Sequence, residues 1–244
     1  MQVEPQKDSK RRVATYLDPN EDSLATRPLY GGGVEGPVAT KRGNGWKLVL
    51  NDNLRRSFLS YRSSPFSGVL INSWYYNCLN DLPWVRPWVN DKLLNRKACW
   101  LTLPGISTPY KYGGMKWPCN DMPGWFQAVT THVMQECGVT QFPNSCNANL
   151  YECEDDVVGW HADDEPIFQA TVRDALIISL SLGASRTFAY RLNTQLNIEH
   201  TVRLGDGDLC TMEGMMQKYY KHAILPEKGK AEPRINLTWR WVVA

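Results

Sequence analysis

His161 and Asp163 stand two residues apart in "DDVVGWHADDEP", residues 155–166, a stretch that crowds five acids around one histidine beside Trp160. On an extended chain, residues two apart leave the same face, so an imidazole and a carboxylate can meet there while Ala162 points away. That pair is half of a metal site, and it is also the composition of a solvated acidic loop. A third ligand has to decide between the two. The chain has four histidines, of which His200 and His222 follow the pair. His222, in "YYKHAILPE", can join from a neighbouring strand.

The second chemical feature comes soon after it. In "RINLTWRWVV", Arg234, Asn236, Thr238 and Arg240 share one face by the two-residue period, and Ile235, Leu237, Trp239 and Trp241 occupy the other. A half-exposed strand with its arginines in water is one reading. Asparagine, however, is a poor strand former and gains nothing in a solvated strand. If the polar face lines a barrel interior instead, two fixed guanidiniums can clamp a small dicarboxylate through bidentate hydrogen bonds. Two histidines and one carboxylate on one face of a metal, with the other positions open, describe the facial triad of non-haem Fe(II) oxygenases. Open positions are what a chelating cosubstrate and dioxygen require.

These residues need a frame. With 244 residues, 43% of them hydrophobic, the chain can bury a core of one domain. Residues 1 to 62 hold 11 Lys and Arg against 7 acids, net +4, and the remainder 16 against 18, net −2. Positive charge displaced toward the N-terminal part suits a polyanionic partner. Seven cysteines without a CxxC pair exclude a zinc ribbon and a disulfide scaffold, and fit an intracellular, reducing compartment. No apolar run is long enough for a membrane span, and "MQVEPQKDSKRR" lacks the apolar core of a signal peptide. A soluble protein without membrane attachment is expected, in the nucleus or the cytoplasm; "SKRR" is compatible with the former.

Residues 1–45, rich in Pro, Gly, Asp and Lys, read as a disordered basic arm. A single folded domain is expected over 46–244, starting near "GWKLVLND", with a substrate-recognition region at about 46–120 and a catalytic part at about 121–244. "INSWYYNCLND" predicts a helix ending before Pro83, and "ACWLTLPG" a strand followed by an aromatic loop. Asp121 is placed to cap a helix running to Gly138, with Pro123 in its first turn and Phe126, Val129, Val133 and Cys137 on one face. Beyond it "ALIISLSL", "RTFAYRL", "HTVRL", "DLCTMEG" and "RINLTWRWVV" predict strands. The fold class is therefore mainly β with helices packed outside (α+β), as an antiparallel sandwich or barrel.

The segments "FPNSCNANLYECEDDVVGWHADDEP", "ISLSLGASRTFAYR", "GDLCTMEGMMQKYYKHAILP" and "PRINLTWR", with "PYKYGG" more weakly, resemble the AlkB family of Fe(II)- and 2-oxoglutarate-dependent dioxygenases, most of all its nucleic-acid demethylase branch. The resemblance covers roughly residues 70 to 242. It implies a double-stranded β-helix, a distorted jelly roll, with His161, Asp163 and His222 as iron ligands. It further implies that Arg234 holds the distal carboxylate of 2-oxoglutarate and Arg240 its iron-chelating end. Asn149 and Tyr151 complete that pocket, with Asn236 and Thr238 between the arginines. The implied reaction consumes O2 and 2-oxoglutarate, hydroxylates an N-methyl group on a base such as 1-methyladenine or 3-methylcytosine, and releases formaldehyde, succinate and CO2.

On the substrate side, Tyr110 and Tyr112 match the family's aromatic pair and Glu165 its contact to the exocyclic nitrogen of the base. Arg55, Arg56, Arg62, Arg96, Lys97, Lys111 and Lys116 are available for phosphates. A mixed aromatic and basic surface favours single-stranded DNA or RNA as the partner of a monomeric enzyme, with a duplex possible. The family's duplex-wedging finger has no counterpart that can be placed in "PWVRPWVNDKLLN". Asp164 is expected to pair with a buried arginine such as Arg186 or to be solvated, Asp155 and Asp156 to be solvated, and Trp160 to pack under the site. Two other readings stay open: an oxygenase acting on a substrate other than nucleic acid, and a catalytically silent nucleic-acid-binding module.

Overall fold

The computed structural model describes residues 44–86, 88–89, 91–93, 96–112, 115–229 and 232–243, with backbone only for Val89, Lys92, Tyr112 and Met115. The expected arm therefore lies almost wholly outside the described residues, as do Gly113 and Gly114 of the aromatic loop. The elements are β1 (Trp46–Asp52), β2 (Ser57–Arg62), α1 (Gly68–Asp81), β3 (Trp88–Val89), β4 (Lys92–Leu93), β5 (Lys97–Thr102), β6 (Tyr110–Tyr112), β7 (Met115–Trp117), β8 (Asn120–Asp121) and α2 (Phe126–Cys137). They continue with β9 (Ser145–Tyr151), β10 (Val158–His161), β11 (Ala175–Gly183), β12 (Arg186–Leu192), β13 (His200–Leu204), β14 (Leu209–Gly214), α3 (Met216–Tyr219), β15 (Tyr220–Ile224) and β16 (Arg234–Arg240).

Two sheets carry the fold. Eight strands run in the order β1-β2-β14-β11-β16-β9-β5-β8, and four in the order β10-β15-β12-β13. Because side chains alternate across a strand, each strand of the larger sheet feeds two cores. Ile178, Leu180 and Leu182 of β11 and Ile235, Leu237 and Trp239 of β16 pack outward against Ile71, Trp74 and Cys78 of α1 and Phe126, Val129 and Val133 of α2. Ile177 of β11 and Cys210 and Met212 of β14 face Phe188, Val202, Leu204 and Ile224 of the smaller sheet. Trp239 is fully buried and its Nε1 donates to Thr130 Oγ1 of α2 at 3.1 Å. Truncating it to alanine is expected to cost about 3–5 kcal/mol. This two-sheet architecture with helices on the outer face is the expected jelly roll.

Local signals set the helix ends. Ser67 caps α1 by accepting from Leu70 N, and the helix stops two residues before Pro83. Gly138 ends α2 in the left-handed conformation at φ 65. The start of α2 differs from the expectation: Asp121 lies in β8, paired in parallel with Thr102 of β5, and the helix begins only at Phe126. The sheet pairing holds the chain extended past the residue that propensity alone would make a cap. "SFLSYR", not expected as a strand, forms β2 and inserts between β1 and β14, while the expected aromatic loop is partly ordered as the β6–β7 hairpin. No sheet boundary falls near residue 120, since β1, β2 and β5 belong to the same sheet as β16. Among the described residues no helix is long and apolar enough to cross a membrane.

Candidate functional site

β10 is an edge strand of the smaller sheet, and it places His161 directly across from His222 of β15. The imidazole centroids are 4.2 Å apart. Asp163 follows two residues later, held by its backbone N–H donating to Gln217 Oε1 at 2.9 Å. One ligand atom from each of the three lies within 4.8 Å of the others, and among the described residues this is the one such cluster of His, Cys, Asp and Glu. Nδ1 of His161 lies 2.8 Å from the carbonyl of Gly159. A carbonyl can only accept, so Nδ1 carries the proton and Nε2 presents its lone pair, 3.9 Å from Asp163 Oδ1.

Burial drives both imidazoles toward the neutral form. It lowers the pKa of His161, and it pushes His222 down to about 3 with the neighbouring His161 adding to the effect. For Asp163 burial acts in the opposite direction, but the Arg240 guanidinium and the two histidines outweigh it and hold the carboxyl at about 2. Two neutral imidazoles and one carboxylate are the protonation states a divalent ion needs. Oδ2 of Asp163 and Nδ1 of His222 are buried without a hydrogen-bond partner. Such orphaned atoms are rare in folded proteins, and here they belong to two of the three candidate ligands. The donor set thus fits a divalent ion of the iron type.

The cationic strand faces the same cavity. Arg234, Asn236, Thr238 and Arg240 of β16 line it together with Asn147, Asn149 and Tyr151 of β9, because β16 and β9 pair with Arg234 opposite Tyr151 and Asn236 opposite Asn149. The inward reading of the arginines holds. Arg240 Nη2 binds Asp163 Oδ1 at 2.8 Å, which raises the arginine's pKa although burial alone would lower it. Arg234 is 0% exposed and has no carboxylate within ion-pair distance among the described residues. Its Nη2 donates to Ser181 Oγ at 2.8 Å, its guanidinium lies 5.2 Å from the Tyr151 ring centroid, and Nε and Nη1 are buried without partners. Desolvation lowers its pKa, with Tyr151 opposing the change. A buried guanidinium in these circumstances is a socket for an anion. Asn236 donates to Ser179 Oγ at 2.6 Å and accepts from Thr238 at 2.9 Å, so these two support the wall as well as line it.

On the opposite rim, Tyr110 is 3% exposed, stacked on Trp100 with centroids 4.8 Å apart, and its hydroxyl donates to Glu165 Oε1 at 2.8 Å. Burial, reinforced by the charge of Asp163, pushes Glu165 up to about 7. Glu165, two residues past Asp163, lines a cleft of about 370 Å³ together with Thr108, Pro109, Lys111, Lys116 and Ile167. Lys111 and Lys116 face each other across the β6–β7 hairpin, are exposed, and have no ion-pair partner among the described residues. The Tyr112 side chain lies outside what is described.

Several expectations need correction. Arg55 pairs with Asp52 at 3.0 Å, Arg62 with Glu136 at 3.0 Å and Lys97 with Glu152 at 2.9 Å, while Arg56 pairs with Asp174. These cations are engaged within the protein, and Arg96 is buried at the cavity wall. Of the two readings of Asp164 the solvated one holds, since it is exposed, and Arg186 donates instead to the carbonyls of Ser185, Cys153 and Glu232. Asp156 is 1% exposed and caps a turn by accepting from Glu152 N at 2.6 Å, whereas Asp155 is solvated as expected. Trp160 points away from the site, where Arg191 covers its ring at 3.9 Å. Alternation along β10 forces this, since His161 takes the inward face. Sequence reasoning also passed over Ser179, Ser181 and Asn147; the signal was present as the polar alternation in "ISLSLG" and "NANLY".

With this geometry in place, the comparisons with known proteins agree. Residues 79–240 match the model of the 2OG-Fe(II) oxygenase superfamily. The chain is 37% identical over 174 residues to "Alpha-ketoglutarate-dependent dioxygenase alkB homolog 3" of Homo sapiens, covering 66% of this chain and 58% of that protein. It is 27% identical over 268 residues to "DNA oxidative demethylase ALKBH2" of Arabidopsis thaliana, covering 97% of this chain and 80% of that protein. The chain thus spans little more than half the length of the human relative. Among solved structures, "The structure of OsALKBH1" superposes with a TM-score of 0.50 at 18% identity, over 75% of this chain and 96% of that one.

Proposed function

The chain belongs to the 2OG-Fe(II) oxygenase superfamily as an AlkB-like member, and from that premise we propose that it oxidatively demethylates N-alkylated bases in DNA or RNA, single strands favoured. The reading extends to a monomer acting in the nucleus or the cytoplasm, with residues 1–45 as an arm ahead of one dioxygenase domain. One observation carries the proposal. Among the described residues, the one His-Asp-His triad shares its cavity with a buried guanidinium that has no carboxylate within ion-pair distance, and Glu165, two residues past Asp163, lines a separate cleft with two lysines.

In this reading His161, Asp163 and His222 hold Fe(II), which with O2 and 2-oxoglutarate supplies oxidation of the N-methyl carbon, leaving succinate, CO2 and formaldehyde. Arg234 and Ser181 take the distal carboxylate, the group that supplies the missing negative charge. Arg240 keeps Asp163 ionised, and its buried, unpartnered Nε and Nη1 would be available to the near end of the cosubstrate. Asn149 and Tyr151 close the pocket wall.

The cleft supplies substrate recognition. A base reaching the triad must be unstacked, and Glu165, fixed by Tyr110, meets it at the rim. A carboxylate there attracts cationic 1-methyladenine or 3-methylcytosine and loses that attraction when the base becomes neutral. Lys111 and Lys116 are placed for flanking phosphates, and Tyr112 on the same hairpin is the proposed stacking partner.

A panel of methylated single- and double-stranded DNA and RNA oligonucleotides, assayed for formaldehyde and succinate together, tests the function. Formaldehyde stoichiometric with succinate on single strands is the expected result. Succinate without formaldehyde from any oligonucleotide would move the enzyme to another substrate class. The base-facing role of Glu165 has its own check: Glu165→Gln should erase the preference for cationic over neutral methylated bases.

A further inference from the structure

Arg96 is the one cation expected on the surface that the fold instead buries, at 6% exposure, against the cavity. It immediately precedes β5, so by alternation it shares a face with Ala98, which pairs with Asn149 of β9. The small Ala98 side chain leaves room for the guanidinium to reach along the strand. Nε of Arg96 donates to Asn149 Oδ1 at 3.1 Å and Nη1 to the carbonyl of Val157 at 3.3 Å. Among the described residues no carboxylate lies within ion-pair distance of it.

The chemistry of these bonds fixes an orientation. An arginine has only donors, so whichever end of the Asn149 amide meets Nε must be the oxygen. The amide nitrogen, with two N–H groups, must then face away from Arg96. Asn149 lies opposite Asn236, and both line the cavity that holds Arg234, so the amide turned from Arg96 has the anion socket on its own wall. Without Arg96 the amide could rotate and present its oxygen, which would repel a carboxylate. The second bond ties the same guanidinium to Val157, one residue before the strand that carries His161.

We propose that Arg96 is a positioning residue that sets the donor polarity of Asn149 toward the cosubstrate, and braces β10 against β9 while doing so. The inference rests on the reading of this cavity as a 2-oxoglutarate pocket. It assigns Arg96 no contact with the nucleic acid.

The test is a double-mutant cycle on binding of 2-oxoglutarate to the Mn(II)-loaded full chain, measured by titration calorimetry and by thermal shift. Arg96→Met is expected to weaken 2-oxoglutarate binding roughly tenfold, the size of one lost charge-assisted hydrogen bond. The melting temperature with Mn(II) alone serves as the folding control. Arg96→Lys, which can still donate to Asn149, should recover most of the affinity. Asn149→Ala should weaken binding by a similar factor, and adding Arg96→Met to it should cause little further loss. Additive losses in the double variant, or no loss in Arg96→Met, would overturn the proposal. Should the wild-type chain itself fail to bind 2-oxoglutarate, the pocket reading fails rather than the role of Arg96.

Discussion

Arg234 and Arg240 both point inward from β16, six residues and roughly 20 Å of strand apart, and both are buried. Among the described residues only Arg240 has a carboxylate beside it, Asp163 at 2.8 Å. The Arg234 end offers a serine hydroxyl, a tyrosine ring and the repelling charge of Arg186. One end is therefore a guanidinium already neutralised by a carboxylate of the fold, and the other a buried charge with no carboxylate beside it among the described residues. The same residue type on the same face of one strand stands in two electrostatic states, and in the proposed reading both arginines meet the cosubstrate while only Arg240 also holds Asp163. The difference is set by what packs beside each end.

The largest expected effect comes from reversing this contrast. Arg240→Met leaves Asp163 buried and uncompensated, and should destabilise the metal-free protein by about 3–5 kcal/mol in urea unfolding. Arg234→Met removes an uncompensated charge and should leave that stability unchanged or raised. Equal losses in the two variants would break the comparison. Next in size, 2-oxoglutarate at a hundredfold excess over its Kd should stabilise the Mn(II)-loaded wild type by about 2.7 kcal/mol, seen as a raised melting temperature. That increment should vanish in Arg234→Met.

A smaller change sharpens the picture at the anion end. Ser181→Ala removes the hydroxyl that accepts from Arg234, and should weaken 2-oxoglutarate binding several-fold, about 1 kcal/mol, while metal affinity stays the same. The smallest effect lies outside the strand. Lys116→Ala should lower single-strand affinity about twofold and reduce the salt dependence of binding by about 0.7 in slope. A changed 2-oxoglutarate affinity in this variant would mean that the cleft and the pocket are not separable.

The parts of the site written with period two are legible in the sequence alone. "RINLTWR" declares its polar face, because alternation is local and the larger sheet enforces it; His161 and Asp163 declare a shared one, although β10 of the smaller sheet ends at His161 and Asp163 follows just past it. The helix face of Phe126, Val129 and Val133 is legible for the same reason at a different period. What escapes such reading depends on partners far away in the chain. Asp121 has the composition of a helix cap, yet pairing with Thr102 decides its role. Arg96, Arg62 and Lys97 look alike as surface cations until strand pairing brings Asn149 and Glu152, and the packing of α2 brings Glu136, beside them. Asp156 reads as one acid among five and is in fact a buried turn cap. No local pattern separates it from the solvated Asp155.

The pairing of His161 with His222 would give the proposed metal a mechanical part as well. β10 sits at the edge of the smaller sheet and meets β15 through an irregular register between Val158 and His161. Edge strands are where local opening begins. An ion gripped by one histidine from each strand, as proposed, would act as a rivet through this irregular seam of the sheet. Loss of the ion should then register first as faster amide hydrogen exchange along β10, with the helix-covered sheet unchanged.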